Sequence, residues 1–423
     1  MRIGNAAVRT LTYLSLLVAA PAGAQVTTDM LVGAAERPGD WVTYSGQYNS
    51  QRFSRLGQIN QDTVGDLELA WVRQLNTLGQ AQTSPLVVDG VMYVTTPENE
   101  VLALDAETGQ VFWSYIHPLE DVLTLCCGKQ SRGVAILGDT LFLATLDAHL
   151  VALDAATGNV VWNTVVASHL DGYSMTAAPL VVNDLVITGI AGGEFGIRGF
   201  VDAHDAKTGE RRWRAYMIPG EGEPGNDTWE GDSWKTGGAS TWQIGAFDPA
   251  LNLIYWGVGN PGPDWNGEVR LGDNLYSDSV VALDADTGDI RWHFQFTPHD
   301  VHDWDACQIP VLVDAVWEGQ PRKLMYWANR NAFFYVLDRE TGEFLSAFEF
   351  AEQTWAQRID ENGRPVRVPN MEPSREGTYV VPEVTGASNW WSPSYSPDTG
   401  LFYLMAYDGG ALYFTAEAEY EAG

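Results

Sequence analysis

Residues 103–113 read ALDAETGQVFW, and the phrase returns as ALDAATGNVVW at 152–162, AHDAKTGERRW at 203–213 and ALDADTGDIRW at 282–292. A fifth copy, VLDRETGEFLS at 336–346, has Ser346 where the others have Trp113, Trp162, Trp213 and Trp292. Within each copy, Asp and Thr side chains can bond the backbone of their own turn, and Gly supplies a left-handed position. The phrase therefore reads as a tight turn between two strands, the second ending on Trp. Upstream of the turns lie apolar stretches such as SPLVVDGVMYVTT and GVAILGDTLFLATL, each long enough for two short strands. Strand, turn, strand, Asp-x-x-Thr-Gly turn and Trp strand make a four-stranded unit of about 50 residues, the sequence pattern of an all-β propeller.

The repeat predicts five to six blades. It is interrupted between Asp205 and Asp284, where GEGEPGNDTWEGDSWKTGGAS is too polar and Gly-rich for core strands. A long loop on a rigid scaffold is a place to look for function. DWVTYSGQYNSQRFS near the start reads as a leading segment rather than a blade, and no closing strand follows GLFYLMAYDGGALYFTAEAEYEAG at the end, so an incomplete ring is expected. Residues 1–24 combine Arg2 and Arg9, a short apolar run and AGA before Gln25, the pattern of an export signal. The expected division is thus a signal peptide at 1–24 and one propeller domain at 25–423, with a periplasmic destination and no membrane span, because the apolar run is too short to cross a bilayer.

A formal charge of −31 argues against nucleic-acid partners, since phosphate binding needs Lys/Arg patches. It suits a basic partner steered by long-range attraction, and equally well simple solubility. Of three cysteines, two are adjacent, in TLCCGKQ at 124–130. Sequence neighbours sit about 3.8 Å apart at Cα, closer than ordinary disulfides prefer, and a bond between them would staple no loop. Two readings stay open on the residues alone: a pair of buried thiols, or a rigid disulfide used as a flat surface. Cys307 is expected as a buried free thiol.

The repeat, the export signal and the vicinal cysteines together resemble the pyrroloquinoline quinone (PQQ) alcohol dehydrogenases, from about Asp40 to the last residue. The resemblance implies an eight-bladed quinoprotein propeller, present here with about six blades. It implies a Cys126–Cys127 disulfide on one face of the planar cofactor and Trp242 on the other. It further implies that Arg132 pairs with a cofactor carboxylate, that Thr176 donates a hydroxyl, and that Asn331 and Asn389, with Trp390, supply further contacts. Gln82 stands where the best-known members have Glu, and Ala191 replaces a serine near the metal-binding Glu.

By the same resemblance a hard cation is held by Glu194, Asn260, Asp303 and Asp305. An all-oxygen set favours a hard cation over zinc there; His299 and His302 lie nearby, but their i, i+3 pair lacks a third nitrogen or sulfur ligand. The second Asp of Asp303-Trp304-Asp305 is the mark of the lanthanide-dependent members, so a lanthanide is favoured over Ca2+. Clustered carboxylates also call for a compensating cation of high charge. Asp303 is the implied base, taking the hydroxyl proton of a primary alcohol as hydride moves to PQQ C5, and Arg330 is the implied donor to the oxygen there. The aldehyde is the product, and electrons are expected to pass to a soluble c-type cytochrome. No Cys-x-x-Cys-His for covalent haem occurs in the sequence. A homodimer is compatible with the sequence, which does not set the oligomeric state. The alternative from another class is a non-enzymatic propeller scaffold of the envelope, which would not need these site residues together.

Overall fold

The computed structural model describes residues 25–416; the expected signal segment lies outside them. Five four-stranded antiparallel sheets follow one another along the chain, each in simple up-and-down order. Their third strands are Glu100–Asp105, His149–Asp154, Phe200–Asp205, Ser279–Asp284 and Phe333–Asp338, each ending on the Asp of a repeat. In the second copy, Asp154 Oδ1 accepts from the Thr157 backbone N–H at 2.8 Å and from its hydroxyl at 2.6 Å. After the fifth sheet come three two-stranded ladders, the last pairing Thr378–Val380 with Ala411–Tyr413. The only α-helix among the described residues is Thr28–Val32. The all-β expectation holds, with five complete four-stranded sheets.

The repeat tryptophans join consecutive sheets. Trp113, on the last strand of the first sheet, donates from Nε1 to Ala155 O in the repeat turn of the second at 3.0 Å. Its ring lies flat on Gly158, where an added Cβ would stand 2.5 Å from the indole. Gly158 also has φ 73°, so the turn and the docking both demand glycine. Trp162 reaches Ala206 O at 3.2 Å and Trp213 reaches Ala285 O at 3.1 Å in the same way. Trp71 makes the corresponding bond to Ala106 O at 3.2 Å, a member of the series that the repeat pattern did not reveal. At the fifth sheet Arg339 replaces the alanine, and Trp292 packs on Gly342 with its Nε1–H unpartnered.

The leading segment ties the sheets together from inside. Trp41 pairs with Val87, Tyr48 O accepts from Phe247 N at 3.1 Å, Asn49 O from Leu312 N at 2.9 Å, and Gln51 O from Tyr395 N at 2.9 Å. The Tyr48 hydroxyl adds a bond to Val181 O at 2.9 Å. One short stretch thus holds the innermost strands of four sheets and a terminal ladder. The polar insertion forms no strand; its two 3-10 turns, Asn226–Thr228 and Ser233–Thr236, are anchored by buried Trp229, whose Nε1 donates to Leu275 O at 2.6 Å.

Candidate active site

In an up-and-down sheet, the connection from the fourth strand to the next sheet and the hairpin between second and third strands emerge at the same end. The segments carrying Cys126–Arg132, Thr176, Trp242 and Asp303–Asp305 are connections of the first kind, and Glu194 and Arg330 sit in hairpins of the second. Topology therefore gathers residues scattered over 200 positions. Cys126, Cys127, Arg132, Thr176, Glu194, Trp242, Asp303, Asp305, Arg330 and Asn389 line one cavity of about 330 Å³.

Cys126 and Cys127 sit at disulfide contact on an exposed loop, which removes the buried-thiol reading of the pair. Cys307 is buried and free, as expected. Gln130 links the disulfide loop to the cavity wall: its Nε2 donates to Cys127 O at 2.9 Å, and its Oε1 accepts from Arg132 Nη2 at 3.0 Å. Arg132 is 1% exposed, lies between the Trp242 and Trp390 rings at 4.9 and 5.3 Å, and has no partner at Nε. Its Nη1 donates to Thr176 O at 3.2 Å, and the Thr176 hydroxyl donates to Trp242 O at 3.3 Å.

Asp305 is the hub of the acidic side. It accepts from Asn260 N at 2.7 Å, Trp242 Nε1 at 3.0 Å and Arg330 Nη1 at 2.7 Å. Gly259 makes this approach possible, because a Cβ there would lie 2.2 Å from Asp305 Oδ1. Asp303, at φ 61°, stands 3.8 Å from Arg330 Nη2. The loop is held in this shape by Asp300, which accepts from His302 N and Trp304 N at 3.1 and 2.8 Å. Burial raises the Asp303 carboxyl well above its usual range. Arg330 opposes this, while Asp305, Asp264 and Glu194 reinforce it. Glu194 opens onto the cavity and onto a second one of about 770 Å³, yet desolvation pushes it up to about 7, with Asp305 and Asp264 adding to the shift.

Three expected residues do not line the cavity. Asn331 is fully buried, with Nδ2 bonded to Thr297 Oγ1 and Tyr335 OH, both at 3.1 Å. Gln82 is buried with Oε1 unpartnered. The Asn260 side chain donates to Asp264 Oδ1 at 2.7 Å, which points its carbonyl oxygen away from that carboxylate. Asp264, itself pushed up to about 6 by burial, Gln130 and Trp391 were missed by sequence reasoning. Only the aromatic run at 390–391 offered a signal, and Trp390 and Trp391 stack at 5.4 Å on the cavity wall. His299 and His302 are engaged elsewhere, by Gly272 O and Met371 O, both at 2.8 Å.

The donor set fits a flat, anionic group and a hard cation. Two buried guanidinium nitrogens, Arg132 Nε and Arg330 Nε, lack partners, and such donors suit carboxylates. Glu194, Asp303 and Asp305 offer only oxygen. They are not drawn to within 4.8 Å of one another; among the described residues only His117, Asp147 and His149 cluster that closely.

Residues 41–358 match the family described as PQQ glucose/ethanol/alcohol dehydrogenase, β-propeller domain. The chain is 40% identical to the quinoprotein alcohol dehydrogenase PedH of Pseudomonas putida, over 98% of its own length and 74% of PedH. It is 38% identical to the lanthanide-dependent methanol dehydrogenase of Methylacidiphilum fumariolicum, over 93% of itself and 69% of that protein. Among solved structures, a europium-containing methanol dehydrogenase superposes with a TM-score of 0.87 at 37% identity, covering 93% of this chain and 73% of that one. The quinohemoprotein alcohol dehydrogenase of Comamonas testosteroni superposes with a TM-score of 0.86 at 40% identity, and the chain spans 60% of its length. The protein belongs to the PQQ-dependent alcohol dehydrogenase family.

Proposed function

We propose that this chain is a periplasmic PQQ-dependent alcohol dehydrogenase that oxidises a primary alcohol to an aldehyde and delivers electrons to a soluble c-type cytochrome. The observation that carries the reading is the convergence on one cavity of the exposed Cys126–Cys127 pair, Trp242, two arginines with unpartnered Nε atoms and three carboxylates. PQQ would be held with Arg132 on a carboxylate, Thr176 and Asn389 at its rim, and its ring between the vicinal disulfide and Trp242. Glu194, Asn260, Asp303 and Asp305 would hold the cation, a lanthanide in preference to Ca2+. When bound, the quinone supplies a two-electron acceptor and the cation a Lewis acid.

The chain's own residues do the rest. Asp303 accepts the alcohol's hydroxyl proton, for which it must be ionised. Burial and neighbouring acids work against ionisation, so positive charge in the cavity sets its competence. Arg330 stays protonated, strengthened by Asp303 and Asp305 against its own desolvation, and presents a fixed donor where negative charge develops. Asp305 aligns both Trp242 and Arg330 through its accepted hydrogen bonds.

The test is dye-linked oxidation of methanol and ethanol by the purified mature chain with PQQ, comparing La3+, Ca2+ and no metal. Turnover with La3+ well above Ca2+ is the expected result. Turnover with Ca2+ alone would keep the enzyme and discard the lanthanide preference. No turnover and no PQQ binding by absorbance would overturn the reading.

A further inference from the structure

Away from the cavity, His117, Asp147 and His149 bring three ligand atoms to within 4.8 Å of one another. His117 follows the last strand of the first sheet, Val111–Ile116. Asp147 lies in the hairpin before His149, which opens the third strand of the second sheet. We propose that these three residues bind a divalent ion of the zinc class, at a site separate from the oxygen-lined cavity.

His117 Nε2 stands 3.0 Å from Asp147 Oδ2, and His149 Nε2 stands 4.0 Å from the same oxygen. Ligand atoms around tetrahedral zinc lie about 3.3 Å apart, from bond lengths of about 2.0–2.2 Å. His149 Nε2 is thus within an ångström of ligand spacing from that oxygen, and all three ligand atoms lie within 4.8 Å of one another. Each of the three residues is also held from outside the cluster. The Thr145 hydroxyl donates to Asp147 Oδ1 at 2.5 Å, and His117 Nε2 stands 3.0 Å from both carboxylate oxygens, of which Oδ2 is the one that also faces His149. Asn163 Oδ1 lies 2.8 Å from His149 Nδ1, which keeps the proton on that nitrogen and the lone pair on Nε2. The Tyr115 hydroxyl lies 3.3 Å from His117 Nδ1.

His117 and Asp147 are buried, whereas the His149 side chain is 25% exposed, which gives an ion a route in and water a fourth position. Two imidazoles and one carboxylate favour zinc over the hard cations that all-oxygen sites select. A plain hydrogen bond between His117 and Asp147 would account for that pair but not for His149, turned toward the same oxygen and fixed from behind by Asn163. An ion here would staple the first two sheets at the root of segment 118–130, the exposed loop that carries Cys126 and Cys127.

The test is Zn2+ titration of the mature chain preloaded with PQQ and La3+, read by calorimetry and by metal analysis after desalting. One Zn2+ per chain is expected. His149→Ala, which leaves the His117–Asp147 pair intact, should lower the affinity at least tenfold. Asn163→Ala should lower it by roughly 10- to 100-fold. The comparison of wild type with His149→Ala reads this site whether or not the cavity takes up La3+. Failure of the wild type to retain Zn2+, or equal retention by His149→Ala, would overturn the assignment.

Discussion

Replacing Asp305 by Ala removes one carboxylate and strands three donors at once: Asn260 N–H, Trp242 Nε1–H and one Arg330 Nη1–H. Breaking a buried ion pair by deleting one partner costs about 3–5 kcal/mol. Arg330 keeps Asp303 at 3.8 Å, and Asp303, Glu194 and Asp264 lose a like-charged neighbour. The lower end, about 3 kcal/mol, is therefore expected for the metal-free protein. With an unfolding entropy of about 2.1 cal/mol/K per residue over roughly 400 residues, Tm should fall by about 4 °C. Asp305→Asn keeps an acceptor for Trp242 or Asn260 and should lose about half as much. Metal binding should respond in a second way. The Coulomb part of the lost attraction scales with ion charge, so it is half again as large for a trivalent as for a divalent ion at equal distance. The La3+/Ca2+ affinity ratio should drop in Asp305→Ala. Calorimetric melting without metal, followed by La3+ and Ca2+ titrations, measures both. An unchanged Tm with an unchanged affinity ratio would refute Asp305 as both hub and ligand.

Other outcomes follow from the same geometry. Asp303→Asn should reduce turnover by about 10²–10⁴-fold, the usual contribution of a positioned base, with Tm near that of wild type; wild-type turnover would remove Asp303 as the base. Gly158→Ala should destabilise by about 2–4 kcal/mol, from overpacking against Trp113 and the left-handed backbone; a denaturation midpoint matching wild type would count against the docking account. Glu194 has a carboxyl raised to about 7, so protons compete with a cation below that pH. La3+ affinity should fall as pH drops from 7 toward 5, and Glu194→Gln should flatten that slope; an affinity independent of pH over this range would exclude Glu194 as a ligand.

Much of the fold was legible because its determinants are local. An Asp-x-x-Thr-Gly turn closes on its own side chains, as Asp154 and Thr157 do, and apolar strands before it need only the next turn to form a sheet. The export pattern and the vicinal cysteines are likewise properties of short stretches, and the net charge is a plain sum over the chain. Resemblance carried the site residues further, and nearly all of them share one cavity. It says nothing of hydrogen-bond partners that come from distant segments. Asn331 sits in the expected loop, yet Thr297 and Tyr335 take its amide. Asp264 and Gln130 carry no motif, and their roles come from distant or folded-together partners: Asp264 from Asn260 and the neighbouring carboxylates, Gln130 from Cys127 and Arg132. Trp71 lies outside any recognisable copy of the repeat and docks on Gly109 all the same.

By itself, then, the sequence determined the sheet-forming unit, its repetition and the kinds of side chain available to a site. Tertiary structure alone decided which carboxylate became the hub, and that His117, Asp147 and His149 meet at all. The reason is that turns are written in contacts between near neighbours, whereas hydrogen-bond competition and ligand geometry depend on atoms that only the closed packing of successive sheets brings within about 3 Å of each other.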